Sequence, residues 1–361
     1  MQSEGDVELR KVDAWMADGV LSTDAHGRLT TWLTEDAYTA FASELRKQIR
    51  EGQIDALEDQ FREQIAFGTG GIRGTMGPGP NRINTRTVGE AAQGLAQYVL
   101  TAQGGGRGRG VVVAYDTRHN SKAFAREASV IMAANGINVH LFEAPRATPE
   151  LSFAVRELGA MAGVVISASH NPPSDNGFKV YWTDGGQVVP PHDASIIGCV
   201  RDVTEIKRCD YGTALASGTI QLVKAEIDER YWDTLTRLTY SDARDVKVVY
   251  TPLHGVGATS VGQALTQLGY KDLHFVPEQA VQDGDFPTVD GGVANPESPG
   301  SFALAVRDAA ALDADLALAS DPDADRFGCA VPDPQSGWDA PMDRLALTGN
   351  QIGAILCEYI L

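Results

Sequence analysis

The chain has 361 residues with 48 acidic against 30 basic side chains, a formal net charge of -18, so most of its surface repels a nucleic-acid backbone or an anionic membrane, and an anionic ligand must find a local basic pocket. That length implies two or three domains, each with its own apolar interior. Cys199, Cys209, Cys329 and Cys357 show no C-x-x-C spacing, no early segment has a secretory pattern, and no run approaches the roughly 18 apolar residues of a membrane span; a zinc-thiolate site, a disulfide framework and membrane insertion are disfavoured, and a reduced, cytoplasmic setting is expected.

In chain order, residues 1–60 are polar and helix-prone, with Ala14-Trp15, Trp32-Leu33 and Ala40-Phe41 as spaced apolar anchors of a helical lead-in. A glycine-rich loop follows, Phe67-Gly68-Thr69-Gly70-Gly71-Ile72-Arg73-Gly74, and opens into a helical pattern over 87–100. An α/β rhythm then sets in: strand 111–115, helix 121–135, strand 137–142, helix 149–158, strand 161–166. Val180-Tyr181-Trp182 reads as a short returning strand, which makes the sheet mixed. After an irregular stretch at 208–213 and a helix over 228–238, the rhythm repeats as strand 246–251, helix 258–268, strand 273–276, helix 301–311 and strand 316–319. The boundary between the two copies is expected near residue 210.

Each copy ends in a loop able to carry chemistry. Behind the strand at 161–166 come Ser167-Ala168-Ser169-His170-Asn171-Pro172 and, further on, Asn176-Gly177-Phe178-Lys179. Loops at the carboxyl ends of such strands are where ligands usually bind, so Ser169 is a candidate nucleophile, against the plainer reading of a turn or cap. No G-x-S-x-G elbow surrounds it, and the nearby cations suit phosphate better than an acyl group. The second copy ends in Asp321-Pro322-Asp323-Ala324-Asp325-Arg326, three carboxylates at alternate positions beside an arginine. Such oxygen ligands suit Mg²⁺, with a solvated acidic turn as the alternative; an EF-hand lacks its sixth-position glycine and twelfth-position glutamate here.

Other loops are less specific. Gly68, Gly70 and Gly71 offer backbone N–H groups to an anion with Arg73 adding a guanidinium fork, or simply form a tight turn. In Asp116-Thr117-Arg118-His119-Asn120-Ser121, Asp116 or Asn120 is read as a helix cap and Arg118 as paired with a carboxylate. In Thr251-Pro252-Leu253-His254-Gly255-Val256-Gly257, His254 either approaches the metal loop or hydrogen-bonds within its turn, the structural role being preferred.

Taken together, Ser167-Ala168-Ser169-His170-Asn171-Pro172, Asp321-Pro322-Asp323-Ala324-Asp325-Arg326 and Gly68-Thr69-Gly70-Gly71-Ile72-Arg73 resemble the α-D-phosphohexomutase family of phosphoglucomutases and phosphomannomutases, from about residue 60 to the end of the chain. The resemblance implies tandem mixed-sheet α/β domains with helices on both faces. It divides the chain into the helical lead-in 1–60, a phosphoserine-loop domain 61–210, a metal-loop domain 211–335, and the opening of a third, sugar-binding domain at 336–361. By the same resemblance Ser169 is the phosphorylated residue, with His170, Lys179 and Arg73 catalytic. Arg326, Gly70, Gly71 and Asn171 hold phosphate or substrate, and Ser169, Asp321, Asp323 and Asp325 bind one Mg²⁺. Lys179, ten positions after Ser169, is expected to have a lowered pKa in a cationic pocket and to move protons.

The implied activity interconverts hexose 1-phosphate and hexose 6-phosphate through a bisphosphate, with a phosphorylated sugar as partner and glucose 1,6-bisphosphate as activator. A phosphopentomutase, a non-catalytic phosphosugar-binding relative and a metal-dependent phosphatase are the alternatives. The family's G-E-x-S-G sugar loop and R-x-S-G-T-type phosphate loop do not occur in these 361 residues. The chain is therefore expected to stop early and to turn over slowly, with an unpartnered apolar helix face over 355–361.

Overall fold

Strand period explains the first sheet. Along the apolar run Val111–Tyr115, successive side chains point to opposite faces, and both faces are buried. Val111, Val113 and Tyr115 enter a core shared with helices Thr85–Thr101 and Ser121–Ala134. Val112 and Ala114 enter a second core with Leu151, Ala154 and Val155 of helix Thr148–Glu157. Each such valine or leucine contributes on the order of 1.5–3 kcal/mol by leaving water, and the result is a sheet with helices on both sides.

The structure is a computed structural model describing residues 4–68, 70–102 and 106–361. Its strands are β1 (Gly71–Thr75), β2 (Val111–Tyr115), β3 (Val139–Phe142), β4 (Ala162–Ile166), β5 (Asp175–Tyr181), β6 (Ile220–Val223), β7 (Val248–Thr251), β8 (Leu273–Phe275), β9 (Leu316–Ser320) and β10 (Phe327–Ala330). One sheet has the order β1-β5-β4-β2-β3-β6, the other β10-β9-β7-β8. β2, β3, β4 and β6 run parallel, while β5 is antiparallel to both β4 and β1. In the second sheet β7 is parallel to β8 and β9, and β10 is antiparallel to β9. Both sheets are mixed α/β, as expected.

Four differences from the sequence reading concern local structure. The glycine-rich stretch is not wholly a loop: Gly71 to Thr75 pair with Lys179 to Asp175 as edge strand β1, while Thr69 lies outside the described residues. The lead-in is a helical cluster with its own core, in which Val12, Leu29, Leu45, Ile49, Leu57 and Phe61 are buried. Trp32 and Leu33 anchor it as expected, but Ala14 and Ala40 are exposed. The first sheet continues past residue 210, because the chain crosses over through helix His192–Arg201 and adds β6 parallel to β3. At the other end, Trp338 and Leu345 pack into the second sheet's core rather than opening a separate unit at 336. Helix Gly349–Ile360 leaves Ile355, Leu356, Tyr359 and Ile360 exposed.

Candidate active site

β4 stops at Ile166, and Ser169 turns the chain with a positive φ of 56°, a conformation that costs a non-glycine residue about 1 kcal/mol or more and needs outside support. Its N–H donates to Ser167 Oγ at 2.8 Å. The main support is Arg118, whose guanidinium donates to the carbonyls of Ser169 at 2.7 Å, Pro172 at 2.6 Å, Asp175 at 3.0 Å and also Asn171. Asp116 faces it at 3.3 Å, both side chains fully buried, and Asp116 also accepts from Ser121 Oγ at 2.7 Å. Arg118 is thus paired with a carboxylate as expected, and it also holds the serine loop through its carbonyls. Sequence reasoning missed this, since the carbonyls it serves lie more than fifty positions away.

The aspartate loop follows β9 and meets the serine loop directly: Ser169 Oγ donates to Asp321 Oδ2 at 2.7 Å. The other Asp321 oxygen accepts the N–H groups of Asp325 and Arg326 at 3.1 Å each, which wraps the loop around it. Asp323 Oδ2 accepts from Lys179 Nζ at 2.6 Å and from Thr148 Oγ1 at 2.8 Å. Its Oδ1 is buried and has no partner among the described residues. One carboxylate oxygen from each of Asp321, Asp323 and Asp325 lies within 4.8 Å of the others.

Burial, and then the charges of Asp323 and Asp325, push Asp321 up to about 8. Burial works the same way on Asp323, but Lys179 and Thr148 outweigh it and hold that carboxyl well below the usual range. Three crowded hard-oxygen donors, one of them an orphaned buried oxygen, fit a divalent cation such as Mg²⁺.

Lys179 requires a correction. Burial opposes its charge, but Asp323 and Asp325 raise the ammonium above the ordinary lysine range. Its surroundings at 2.6 and 3.3 Å are carboxylates, not cations, so the expected lowering is absent. His170 goes the other way: burial first, then Arg326 and Arg73, lower its pKa. Its Nδ1 lies 2.9 Å from Arg326 Nη1, which can only donate, so the neutral ring carries its proton on Nε2. Ser169 Oγ is 3.3 Å from the same Nδ1.

The remaining expected site residues divide. Arg73 is exposed on β1, near enough for its charge to act on His170 and Arg118. Asn171 donates its side-chain amide to Asp175 at 2.9 Å, bracing the loop. Gly70 and Gly71 have positive φ, and a Cβ on Gly71 would lie 1.8 Å from the Phe178 carbonyl oxygen, so close strand pairing demands glycine there. Among the flanking loops, Asn120 starts helix Ser121–Ala134 without a side-chain cap, and Asp116 accepts from the Ser121 hydroxyl and the Arg118 N–H rather than from the helix's first N–H groups, so neither is the expected cap. His254 bonds to Val281 O at 3.0 Å and Thr288 Oγ1 at 2.8 Å, the structural role. Thr148 was not foreseen; its Thr-Pro at a helix start carries no local sign of a partner 175 positions on.

Known proteins are similar to this chain in sequence and fold. Phosphoglucomutase/phosphomannomutase alpha/beta/alpha domain I matches residues 64–207, and domain II matches residues 229–337. The chain is 40% identical over 319 residues to a Staphylococcus saprophyticus phosphoglucomutase, covering 87% of this chain and 56% of that protein. It is 36% identical over 368 residues to a Saccharomyces cerevisiae phosphoribomutase, covering 95% and 58%, and 33% identical over 338 residues to a human phosphopentomutase, covering 90% and 54%. The chain therefore spans a little over half the length of these relatives. A Thermus thermophilus crystal structure, provisionally named a phosphomannomutase, superposes with a TM-score of 0.68 at 26% identity, covering 82% of this chain and 61% of that one. Both family domains cover the two loops that meet at Ser169 and Asp321, and with them the chain belongs to the phosphoglucomutase/phosphomannomutase, or α-D-phosphohexomutase, family.

Proposed function

We propose that this chain carries the phosphoryl-exchange centre of a sugar-phosphate mutase, with hexose 1-phosphate and hexose 6-phosphate as the interconverted pair. The observation that carries the reading is the 2.7 Å contact between Ser169 Oγ, at the end of one sheet, and Asp321, at the end of the other. Relatives named for glucose and for pentose phosphates match comparably; the hexose assignment rests on the family resemblance of the motifs, with pentose phosphate as the alternative.

In the proposed step, the bond between phosphorus and Ser169 Oγ breaks as a bond forms from phosphorus to a sugar hydroxyl oxygen. The hydroxyl loses its proton and Ser169 Oγ ends protonated. The reverse transfer, from the other phosphate of the bisphosphate, restores phosphoserine, and glucose 1,6-bisphosphate is the proposed activator because it phosphorylates free Ser169. Arg326 and the Nε2–H of neutral His170 donate to the phosphoryl oxygens, with Arg73 adding positive charge at the open edge. Lys179 remains an ammonium, fixing Asp323 and offsetting negative charge rather than acting as a base. A magnesium ion held by Asp321, Asp323 and Asp325 would supply the neutralisation that phosphoryl transfer needs.

Incubation with glucose 1,6-bisphosphate and Mg²⁺, followed by intact-mass measurement, tests the reading. One added phosphoryl group, lost in Ser169→Ala, is expected. No uptake, or steady release of inorganic phosphate without bisphosphate, would replace the mutase reading with a binding protein or a phosphatase.

A further inference from the structure

We infer that Thr148 is a positioning residue that aims Asp323 at the cation, so that metal affinity is set across the junction of the two sheets; this rests on the metal reading proposed above. Thr148 belongs to the first sheet's side of the molecule, opening helix Thr148–Glu157, and is 5% exposed. It grips Asp323 twice. Its N–H donates to the Asp323 carbonyl at 2.9 Å and its Oγ1 to Asp323 Oδ2 at 2.8 Å.

The two oxygens of Asp323 are thereby made unequal. Oδ2 takes both Thr148 Oγ1 and Lys179 Nζ, while Oδ1 is buried with no partner among the described residues. The terminal torsion of an aspartate is broad, so a carboxylate is not held by its own rotamer preferences. Two donors from different elements on one oxygen fix the plane and present the other oxygen. Asp321 is fixed differently, through both oxygens, with Ser169 on one and two backbone N–H groups on the other. Lys179 alone is a poor substitute for Thr148, because its Nζ also reaches Asp325 at 3.3 Å and is carried on a long stem. Groups that hold a metal ligand in place typically change affinity 10- to 100-fold when removed.

Thr148→Val isolates the hydroxyl, since it keeps the branched shape, the helix start and the N–H bond to the Asp323 carbonyl. Mn²⁺ binding to the full chain, measured by titration calorimetry with the metal alone, should weaken about 10- to 100-fold in Thr148→Val and stay close to the native value in Thr148→Ser, which restores the donor. Metal-free melting temperatures of all three proteins should agree within about 3 °C, which shows that the fold is kept. Native Mn²⁺ affinity in Thr148→Val, or equal weakening in both variants, overturns the inference. Asp323→Asn separates this from the underlying reading: if Asp323→Asn loses Mn²⁺ while Thr148→Val does not, only the role of Thr148 falls. If the native chain binds no Mn²⁺, or Asp323→Asn binds it unchanged, the metal reading falls and the inference with it.

Discussion

Arg118 directs its guanidinium at backbone carbonyls of the serine loop, and no lysine can reproduce that fork. In Arg118→Lys the charge facing Asp116 survives but most of the loop contacts do not. Phosphorylation of Ser169 by glucose 1,6-bisphosphate is expected to slow at least about tenfold, with a stability loss of about 2–4 kcal/mol from carbonyls left unsatisfied; an intact-mass time course and urea unfolding read the two effects. A second buried group lies outside the site. Among the described residues neither Glu150 oxygen has a hydrogen-bond donor, and burial, followed by neighbouring Asp228, pushes its carboxyl up to about 9 from an ordinary 4.5, against the pull of Arg146. Between those values the folded chain holds a proton that the unfolded chain releases, so stability falls as pH rises through the window. Glu150→Gln keeps a neutral donor toward Asp228 and removes the titration. Its melting temperature relative to the native chain should rise steadily from about pH 5 to about pH 9; a pH-independent difference would contradict the shifted carboxyl. Sequence offered Arg118 as a paired cation and nothing about Glu150, because the partners of both are set by packing.

At the level of elements, long apolar runs were the legible part. The strands seen at Val111–Tyr115, Ala162–Ile166 and Leu316–Ser320 and the helices Ser121–Ala134, Thr148–Glu157 and Ala303–Leu312 lie within a residue or two of their predicted ends, because continuous burial writes itself into composition. β1, β6 and β10 were not legible: each is an edge strand whose apolar run is broken by exposed positions such as Arg73, Gln221 and Phe327. The glycines around β1 illustrate the limit. Their sequence allows an anion cradle or a tight turn, and what the fold shows is close packing: Gly71 faces the Phe178 carbonyl, and a Cβ on Gly177 would lie 2.6 Å from Ser167 O and 2.8 Å from Ile72 O. Gly71→Ala is expected to detach β1, at a cost of about 2 kcal/mol or more from forced backbone movement and a positive φ. Hydrogen exchange should show protection lost over 71–75 and kept in β4; uniform protection would show that the edge tolerates the methyl group.

For the whole molecule, the site exists only where two sheets meet. Besides the contacts of Ser169, Lys179 and Thr148, Thr117 Oγ1 donates to the His254 carbonyl at 3.1 Å, and His119 pairs with Asp285 at 2.7 Å. Gly284 fits against this seam with no room to spare: a Cβ there would lie 2.8 Å from His119 N and 3.0 Å from Thr117 O. Gly284→Val should spread the seam, weaken Mn²⁺ binding by at least about tenfold through the misplaced donors, and split the calorimetric unfolding into two transitions. Unchanged affinity and one transition would mean that the seam repacks.

The sequence by itself determined the alternation of strands and helices, the serine and aspartate loops at strand ends, and the family, because these depend on local period and on residue order within short motifs. Only the tertiary structure decided that Lys179 sits among carboxylates and stays charged, that Arg118 holds the Ser169 loop, and that Thr148 reaches Asp323. Those outcomes are electrostatic and steric sums over residues 51 to 175 positions apart, and no local pattern carries such sums.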